Sequence, residues 1–104
     1  MFSEQKELSV SVDETVVLHC LVSRLFPLKD LFWSRRSSSI RLERNEKYEL
    51  KETSDNADLI DLQLFILEVE KSDEDEYICS SRNAFGSSKI SLHFRVRSRP
   101  NYSK

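Results

Sequence analysis

The sequence predicts an all-β fold, a two-sheet antiparallel sandwich, and three observations support this prediction. Apolar residues recur at every second position in successive short segments, as expected for strands with one buried face. Polar stretches, some containing glycine or proline, separate these segments at short intervals, which is typical of an antiparallel sandwich. Helical patterning is nearly absent, because the one candidate, residues 68–76, has too few apolar residues to dock and is expected to hold a turn.

Four strands are predicted in the first half of the chain. They cover residues 6–12, 14–22, 30–34 and 47–52. The second of them places Cys20 on the same face as the apolar residues two positions before and after it, so this cysteine is predicted to be buried. The third follows Pro27, which has to lie in a loop because proline cannot donate a hydrogen bond within a central strand.

Three more strands are predicted in the second half. They cover residues 59–69, 76–82 and 88–96. The first of them has the clearest alternation and then shifts phase, so Val69 rather than Glu68 is expected to return to the core. The other two flank the sequence NAFGS, a glycine-containing connection of the length that joins antiparallel neighbours.

Length and charge limit the organisation and the classes of partner. The chain has 104 residues, of which 38% are hydrophobic, so we expect one domain over residues 1–97 and a linker or tail over residues 98–104. The net charge is −2 and the charges are scattered, which does not indicate a nucleic-acid partner. No stretch approaches the roughly 20 apolar residues of a membrane span, and Met1 does not begin a signal region. We therefore expect a piece of a longer protein that does not itself insert into a membrane.

The two cysteines and the single tryptophan form the most specific pattern in the sequence. Their order is Cys20, Trp33, Cys79, and the second cysteine ends the run Asp73-x-Asp75-x-Tyr77-x-Cys79. Both patterns resemble the immunoglobulin superfamily, whose domains carry Asp-x-Gly-x-Tyr-x-Cys before and along the strand of the second cysteine. The segment 80–96 further resembles the intermediate set (I-set), in which an Asn-x-x-Gly turn joins the last two strands. The resemblance covers nearly the whole chain.

This resemblance implies a structural role for four residues. Cys20 and Cys79 are expected to form one disulfide between the two sheets, with Trp33 packed against it. The two cysteines are 59 residues apart, and closing a loop of about that length gives roughly 4 kcal/mol of stabilisation in the chain-entropy model. Tyr77 is expected to pack its ring inward while its hydroxyl bonds a backbone group at the corner before its strand.

The sequence also departs from the family pattern. Asp75 stands where the family has glycine, so the corner has to form without easy access to positive φ. By resemblance, Asp73 is expected to help fix this turn. The segment 35–47 is compatible with a short additional strand, and the stretch around Pro27 also resembles constant-type domains, so the set is less narrowly defined than the superfamily.

Catalysis, metals and cofactors are not expected. A nucleophilic thiol needs a base and partial exposure, whereas both cysteines fall on predicted core faces. Neither cysteine has a further Cys or His at zinc-ligand spacing, and the acidic run 73–76 lacks the glycine and alternating oxygen ligands of a calcium loop. His19 and His93 are expected on outward faces of different sheets, and no nucleophile elbow is present.

A protein-binding face follows from the inward positions. If Trp33, Cys79 and Leu92 point inward, the residues between them point outward from the sheet that their strands share. The candidate binding face consists of Phe32, Ile78, Ser80, His93 and Arg95, with Ser91 between them. Two alternatives are the outward pair Val17 and Phe65 of the other sheet and the loop residues Phe26 and Leu28.

The resemblance implies a non-catalytic, protein-binding module of an extracellular adhesion or receptor protein, either at the cell surface or secreted. Whether its partner is of the same or another kind stays open. The triplet Asn101-Tyr102-Ser103 is a possible glycosylation site and favours this interpretation. The alternative is a structural module of a giant muscle or cytoskeletal protein, cytoplasmic and sarcomeric, with reduced cysteines. A third interpretation is a ligand-binding or regulatory module attached to a kinase or another enzyme.

Overall fold

The computed structural model describes residues 7–23, 27–56 and 58–97, and these form seven strands. The strands are β1 (Glu7–Ser11), β2 (Val16–Ser23), β3 (Leu28–Arg35), β4 (Tyr48–Asn56), β5 (Leu59–Ile66), β6 (Asp75–Asn83) and β7 (Gly86–Arg97). A 3-10 helix, Lys71–Asp73, lies between β5 and β6. No helix in these ranges is long and apolar enough to cross a bilayer.

The strands form the two predicted sheets. One has the order β1-β7-β6-β3 and the other β2-β5-β4. The pairings between strands are antiparallel except that of β1 with β7, which is parallel. This exception arises because β1 and its sequence neighbour β2 lie in different sheets, so no hairpin fixes the direction of β1.

The core lies between the two sheets and contains the inward residues of every second position. In β2, the alternating residues Val16, Leu18, Cys20 and Val22 point inward, and each is at most 3% exposed. The inward residues of β7 are likewise buried or packed against the core, and those of β1 cover one edge of it. The predicted period of two is therefore confirmed in these strands.

The region between β5 and β6 turns as the phase shift predicted. β5 ends at Ile66, and Glu68 adopts φ 46°, the left-handed conformation that reverses the inside and outside positions. Val69 consequently points inward and is fully buried. Within residues 68–76, Lys71–Asp73 form the 3-10 helix and Asp75 begins β6.

The segment between β3 and β4 does not form a full additional strand. Within residues 36–47, which the structure describes, the only β pairing is a single bridge from Arg41 to Ser34. The backbone amide of Leu42 also donates to the carbonyl oxygen of Trp33. This segment therefore only touches the edge of β3.

Candidate functional site

The predicted disulfide joins the two sheets. Cys20 on β2 is bonded to Cys79 on β6, with the two Cα atoms 6.4 Å apart and both side chains fully buried. Trp33 is the register partner of Cys79, and its indole Nε1 donates a 3.0 Å hydrogen bond to the carbonyl oxygen of Leu62 in the opposite sheet. The tryptophan thus connects the sheets next to the disulfide and satisfies its own buried donor.

Tyr77 is a structural residue of the corner before β6. Its hydroxyl donates a 2.7 Å hydrogen bond to the carbonyl oxygen of Asp73, and its ring meets Phe94 edge to face at 5.8 Å. The guanidinium of Arg35 lies 5.4 Å from the ring centroid. Burial, above all, raises the pKa of this phenol far above its usual value, so Tyr77 stays protonated as a donor.

The acidic run forms this corner by pairing with cations. Its ion pairs are Asp73 with Lys47, Glu74 with Lys71, Asp75 with Arg35, and Glu76 with Arg36. Asp73 is only 3% exposed and also accepts a hydrogen bond from the backbone amide of Glu70, which caps the 3-10 helix. Among the described residues, no group of three or more His, Cys, Asp or Glu is placed to hold a metal ion.

Asp75 replaces the expected glycine without needing its backbone freedom. Among the residues that the structure describes, those other than glycine with positive φ are Asp13, Ser39 and Glu68, so the unusual geometry occurs elsewhere. The carboxylate of Asp75 accepts hydrogen bonds from Arg35 Nε at 3.0 Å and from Ser37 Oγ at 2.6 Å. Burial alone raises the pKa of Asp75, but the bonds from Ser37, the Glu76 amide and Arg35 outweigh it and hold the pKa below its usual value.

The structure places the candidate binding residues on one face of the four-stranded sheet. Phe32 is the register partner of Ser80, and Ile78 lies two positions before Ser80 in β6, so the two apolar side chains are diagonal neighbours. Both are partly buried. Ser80 is the exception to the prediction, since it is only 8% exposed. It lies between Phe32 on one side and Lys89 on the other, and these larger side chains shield it.

Phe32 and Ile78 line a groove of about 350 Å³. Its wall includes the side chains of Asp30, Arg36, Arg82 and Lys89 together with several serines. Arg41 covers the ring of Phe32, because its guanidinium lies 4.2 Å from the ring centroid and is held by a 2.7 Å bond to Asp30. Phe32 is therefore less available to a partner than the sequence suggested.

His93 and Arg95 do not line this groove. They line a second depression, further along the face, together with Arg36 and the acidic residues 74–76. The candidate face therefore divides into a groove that contains Phe32 and Ile78 and a charged depression that contains His93 and Arg95, with Arg36 lining both, whereas the sequence predicted one continuous patch.

Arg41, Arg82 and Lys89 were not singled out in the sequence. The alternation along the strands could have identified two of them. Arg82 follows Ile78 and Ser80 at the outward positions of β6, and Lys89 lies opposite Ser80 on β7. Arg41 comes from the segment between β3 and β4, and its position over Phe32 depends on a loop conformation that periodicity does not predict.

The other sheet offers a different kind of surface. Val17 and Phe65 are register partners there, both partly buried. Next to them, Asp61 Oδ2 lies 2.9 Å from Nδ1 of His19 and accepts a hydrogen bond from Gln63. Leu28 packs against the core rather than forming an open loop surface, whereas Phe26 and Asn101 lie outside the described residues.

Comparisons with known proteins give the family. A family model described as Immunoglobulin I-set domain matches residues 1–96. Neural cell adhesion molecule 1 of Bos taurus is 29% identical over 92 residues, which is 88% of this chain and 10% of that protein. Protein sax-3 of Caenorhabditis elegans is 30% identical over 99 residues, which is 95% of this chain and 7% of that protein. The chain thus spans a tenth or less of the length of these relatives.

Solved structures of two kinds share the fold. The complex of Dpr2 Ig1-Ig2 with DIP-Theta Ig1-Ig3 matches with a TM-score of 0.81 and 16% identity, covering 92% of this chain and 31% of that chain. The titin tandem domains A164-A165 match with a TM-score of 0.74 and 18% identity, covering 91% and 45%. At these identities the likeness concerns the fold alone. Together with the family model, the disulfide and the sheet topology, it leads to one conclusion: this chain belongs to the immunoglobulin I-set domain family.

Proposed function

We propose that this domain is a non-catalytic, protein-binding module of a cell-surface or secreted adhesion or receptor protein. The observation that carries the proposal is the open face of the four-stranded sheet, on which Phe32 and Ile78 form the floor of a groove. The relatives support it, because they include a neural cell adhesion molecule, and a Dpr2 domain pair of the same fold is in a complex with another protein.

The disulfide supports an extracellular location. Bonds of this kind persist in oxidising compartments and are rare in the cytosol. Because both cysteines are bonded and fully buried, neither is available as a nucleophile, and this supports a non-catalytic role. The test is a free-thiol assay on denatured protein from its native source. Full protection of both thiols is expected, and finding them reduced would overturn the extracellular assignment.

The alternative is a structural module of a giant muscle or cytoskeletal protein. It is favoured by the fold shared with titin domains and with the twitchin kinase region. The same thiol assay separates the two proposals, since a sarcomeric domain is expected to keep its cysteines reduced. The sequence of the intact parent protein is a second test. Tandem copies without a signal peptide or membrane anchor would favour the structural role.

The binding face is tested by paired substitutions on the two sheets. The variant Phe32→Asp with Ile78→Asp places two charges on the groove floor, and the matched control Val17→Asp with Phe65→Asp places two charges on the outward face of the other sheet. Beads coated with each domain are then measured for adhesion to cells from the source tissue, and bead-to-bead clustering reports binding between like domains. We expect the first variant alone to lose binding by at least about tenfold.

Folding has to be checked before binding is compared. Phe32 and Ile78 are partly buried, so each variant is first examined by urea unfolding and near-ultraviolet circular dichroism. If the groove variant is folded and still binds like the unaltered domain, the proposed face is wrong. If the control variant alone loses binding, the other sheet is the binding surface.

A further inference from the structure

We propose that the groove takes an acidic segment of a protein partner, one that carries an apolar anchor residue followed by carboxylates. This inference rests on the proposed protein-binding function and specifies the chemistry of the partner. Some charged side chains around the groove are neutralised by partners within the domain and others are not, and the inference follows from this difference.

Most of the charges that line the groove are neutralised internally. Asp30 binds Arg41 at 2.7 Å, Arg35 binds Asp75 at 3.0 Å, and Arg36 binds Glu76 at 2.8 Å. Each of these ions therefore has a partner of opposite sign within hydrogen-bond distance. They contribute little net charge to the groove.

Arg82 and Lys89 are different. Both are exposed, both line the groove, and neither forms an ion pair or a side-chain hydrogen bond with the part of the chain that the structure describes. Lys89 lies directly across the ladder from Ser80, and Arg82 lies diagonally from Lys89. Cross-strand diagonal neighbours are about 7–8 Å apart, so one or two carboxylates can contact both cations. The groove is therefore a local cationic site in a chain whose net charge is −2.

The distance from the groove floor to these cations defines the spacing in the ligand. Ile78 and Arg82 are four residues apart on β6, which is about 13 Å at the rise of a strand. Lys89 lies opposite Ser80, two residues from Ile78, so it is about 7 Å from Ile78 along the strand direction and one strand spacing, about 5 Å, to the side. An extended peptide with an apolar side chain at one position and carboxylates two and four positions later matches these distances, because alternate side chains share a face.

Two other occupants fit the groove less well. A sulfated glycan would use the cations but not the apolar floor made by Phe32 and Ile78. In a second copy of this domain, each acid of the run 73–76 is already paired with a cation, so that acidic corner would not supply the carboxylates. An acidic and partly apolar protein segment uses both features of the groove.

The test uses short synthetic peptides and nitrogen-15 NMR of the whole domain. The probe is acetyl-Phe-Ser-Glu-Ser-Glu-amide. One control replaces both glutamates with lysine, and another replaces the phenylalanine with serine. We expect the probe to shift amide signals of β3, β6 and β7 around the groove, and both controls to bind at least about fivefold more weakly. Raising the salt from 0.1 M to 1 M shortens the Debye length from about 10 Å to about 3 Å and should weaken probe binding.

Single charge reversals test the role of the two cations. Arg82→Glu and Lys89→Glu are each expected to weaken probe binding by about fivefold, because each removes one exposed attraction and adds a repulsion. The matched control is Lys51→Glu, an exposed position on the other sheet with the same change in charge, and it should change binding by less than about twofold. All three residues are exposed, so folding is expected to be unaffected.

The outcomes separate this inference from the proposed function. If Phe32→Asp with Ile78→Asp abolishes adhesion to cells but the two charge reversals do not weaken adhesion, the proposed binding face is correct. The proposal that the partner segment is acidic is then wrong. Equal binding of the probe and the serine control, or of the probe and the lysine control, would also overturn the inference. Two further results would overturn the inference. One is self-association of the domain through this face in analytical ultracentrifugation, and the other is tighter binding of a heparin fragment than of any peptide.

Discussion

The hydroxyl of Tyr77 donates a 2.7 Å hydrogen bond to the backbone carbonyl oxygen of Asp73, four residues earlier in the chain. Both groups are buried, and the side chain of Asp73 is itself held by Lys47 at 2.6 Å. The tyrosine thereby fixes the corner between the two sheets to the start of β6. This strand carries Cys79 and the outward residue Ile78, so the corner positions both the disulfide and the groove.

Removing this hydroxyl should weaken the fold without changing its shape. In Tyr77→Phe the carbonyl oxygen of Asp73 loses its buried donor, and an unsatisfied buried acceptor costs about 1–3 kcal/mol of unfolding free energy. Urea unfolding measures this loss. The control is Tyr48→Phe, which removes a 3.5 Å contact with Arg35 and an interaction with the Tyr77 hydroxyl but keeps the bond from Tyr77 to Asp73, and should therefore cost less. Equal losses of unfolding free energy in the two variants would show that the bond from Tyr77 does not stabilise the fold more than the contacts of Tyr48 do.

The ion pair of Asp75 should make stability depend on pH in the acid range. The folded state lowers the pKa of Asp75 below its ordinary 3.8, so the unfolded state binds the proton more tightly. The stabilisation is therefore fully present above about pH 5, and it is lost as the pH falls through the ordinary pKa and then through the lower folded one.

The measurement compares the unaltered domain with Asp75→Asn by urea unfolding between pH 7 and pH 3. The asparagine keeps the shape and a carbonyl oxygen but loses the charge that Arg35 and Ser37 contact. The stability difference between the two proteins should shrink as the pH falls below about 4. Glu74 and Glu76, whose pKa values are also lowered by bonds from Lys71 and Arg36, are present in both proteins and cancel in the comparison. A difference that stays constant over this range would contradict the prediction.

The disulfide should contribute a large share of the stability. The variant Cys20→Ala with Cys79→Ala opens a loop of 59 residues, and the chain-entropy model gives a loss of up to roughly 4 kcal/mol. Fluorescence of Trp33, which lies beside the bridge, follows urea unfolding. Adding a reductant should destabilise the unaltered domain but leave the variant unchanged. A loss below about 1 kcal/mol would mean that the core holds the sheets together without the bridge.

Much of the fold was predictable because it depends on local periodicity. The alternation in β2, β5 and β7 marks the buried faces, and the phase shift before Val69 predicts its return to the core. The parallel pairing of β1 was not predictable, because no turn connects β1 to β7 and only packing of the finished sandwich determines its direction.

The candidate site was predictable only in part. Alternation placed Phe32 and Ile78 on one face, but it does not report which long side chains fold over that face. Arg41 covers the ring of Phe32, and Ser80 is shielded by larger neighbours on both adjacent strands. These features depend on contacts between residues far apart in the chain.

The sequence by itself determined the sandwich through the alternation within each strand, and its resemblance to the immunoglobulin superfamily implied the cysteine pair beside Trp33 and the corner role of Tyr77. Only the tertiary structure decided which charges are neutralised and which remain available. The acids of the run 73–76 find their cations on three different segments, whereas Arg82 and Lys89 meet no acid among the described residues. Charge pairing is a property of side chains brought together across strands, and a linear sequence does not contain those distances.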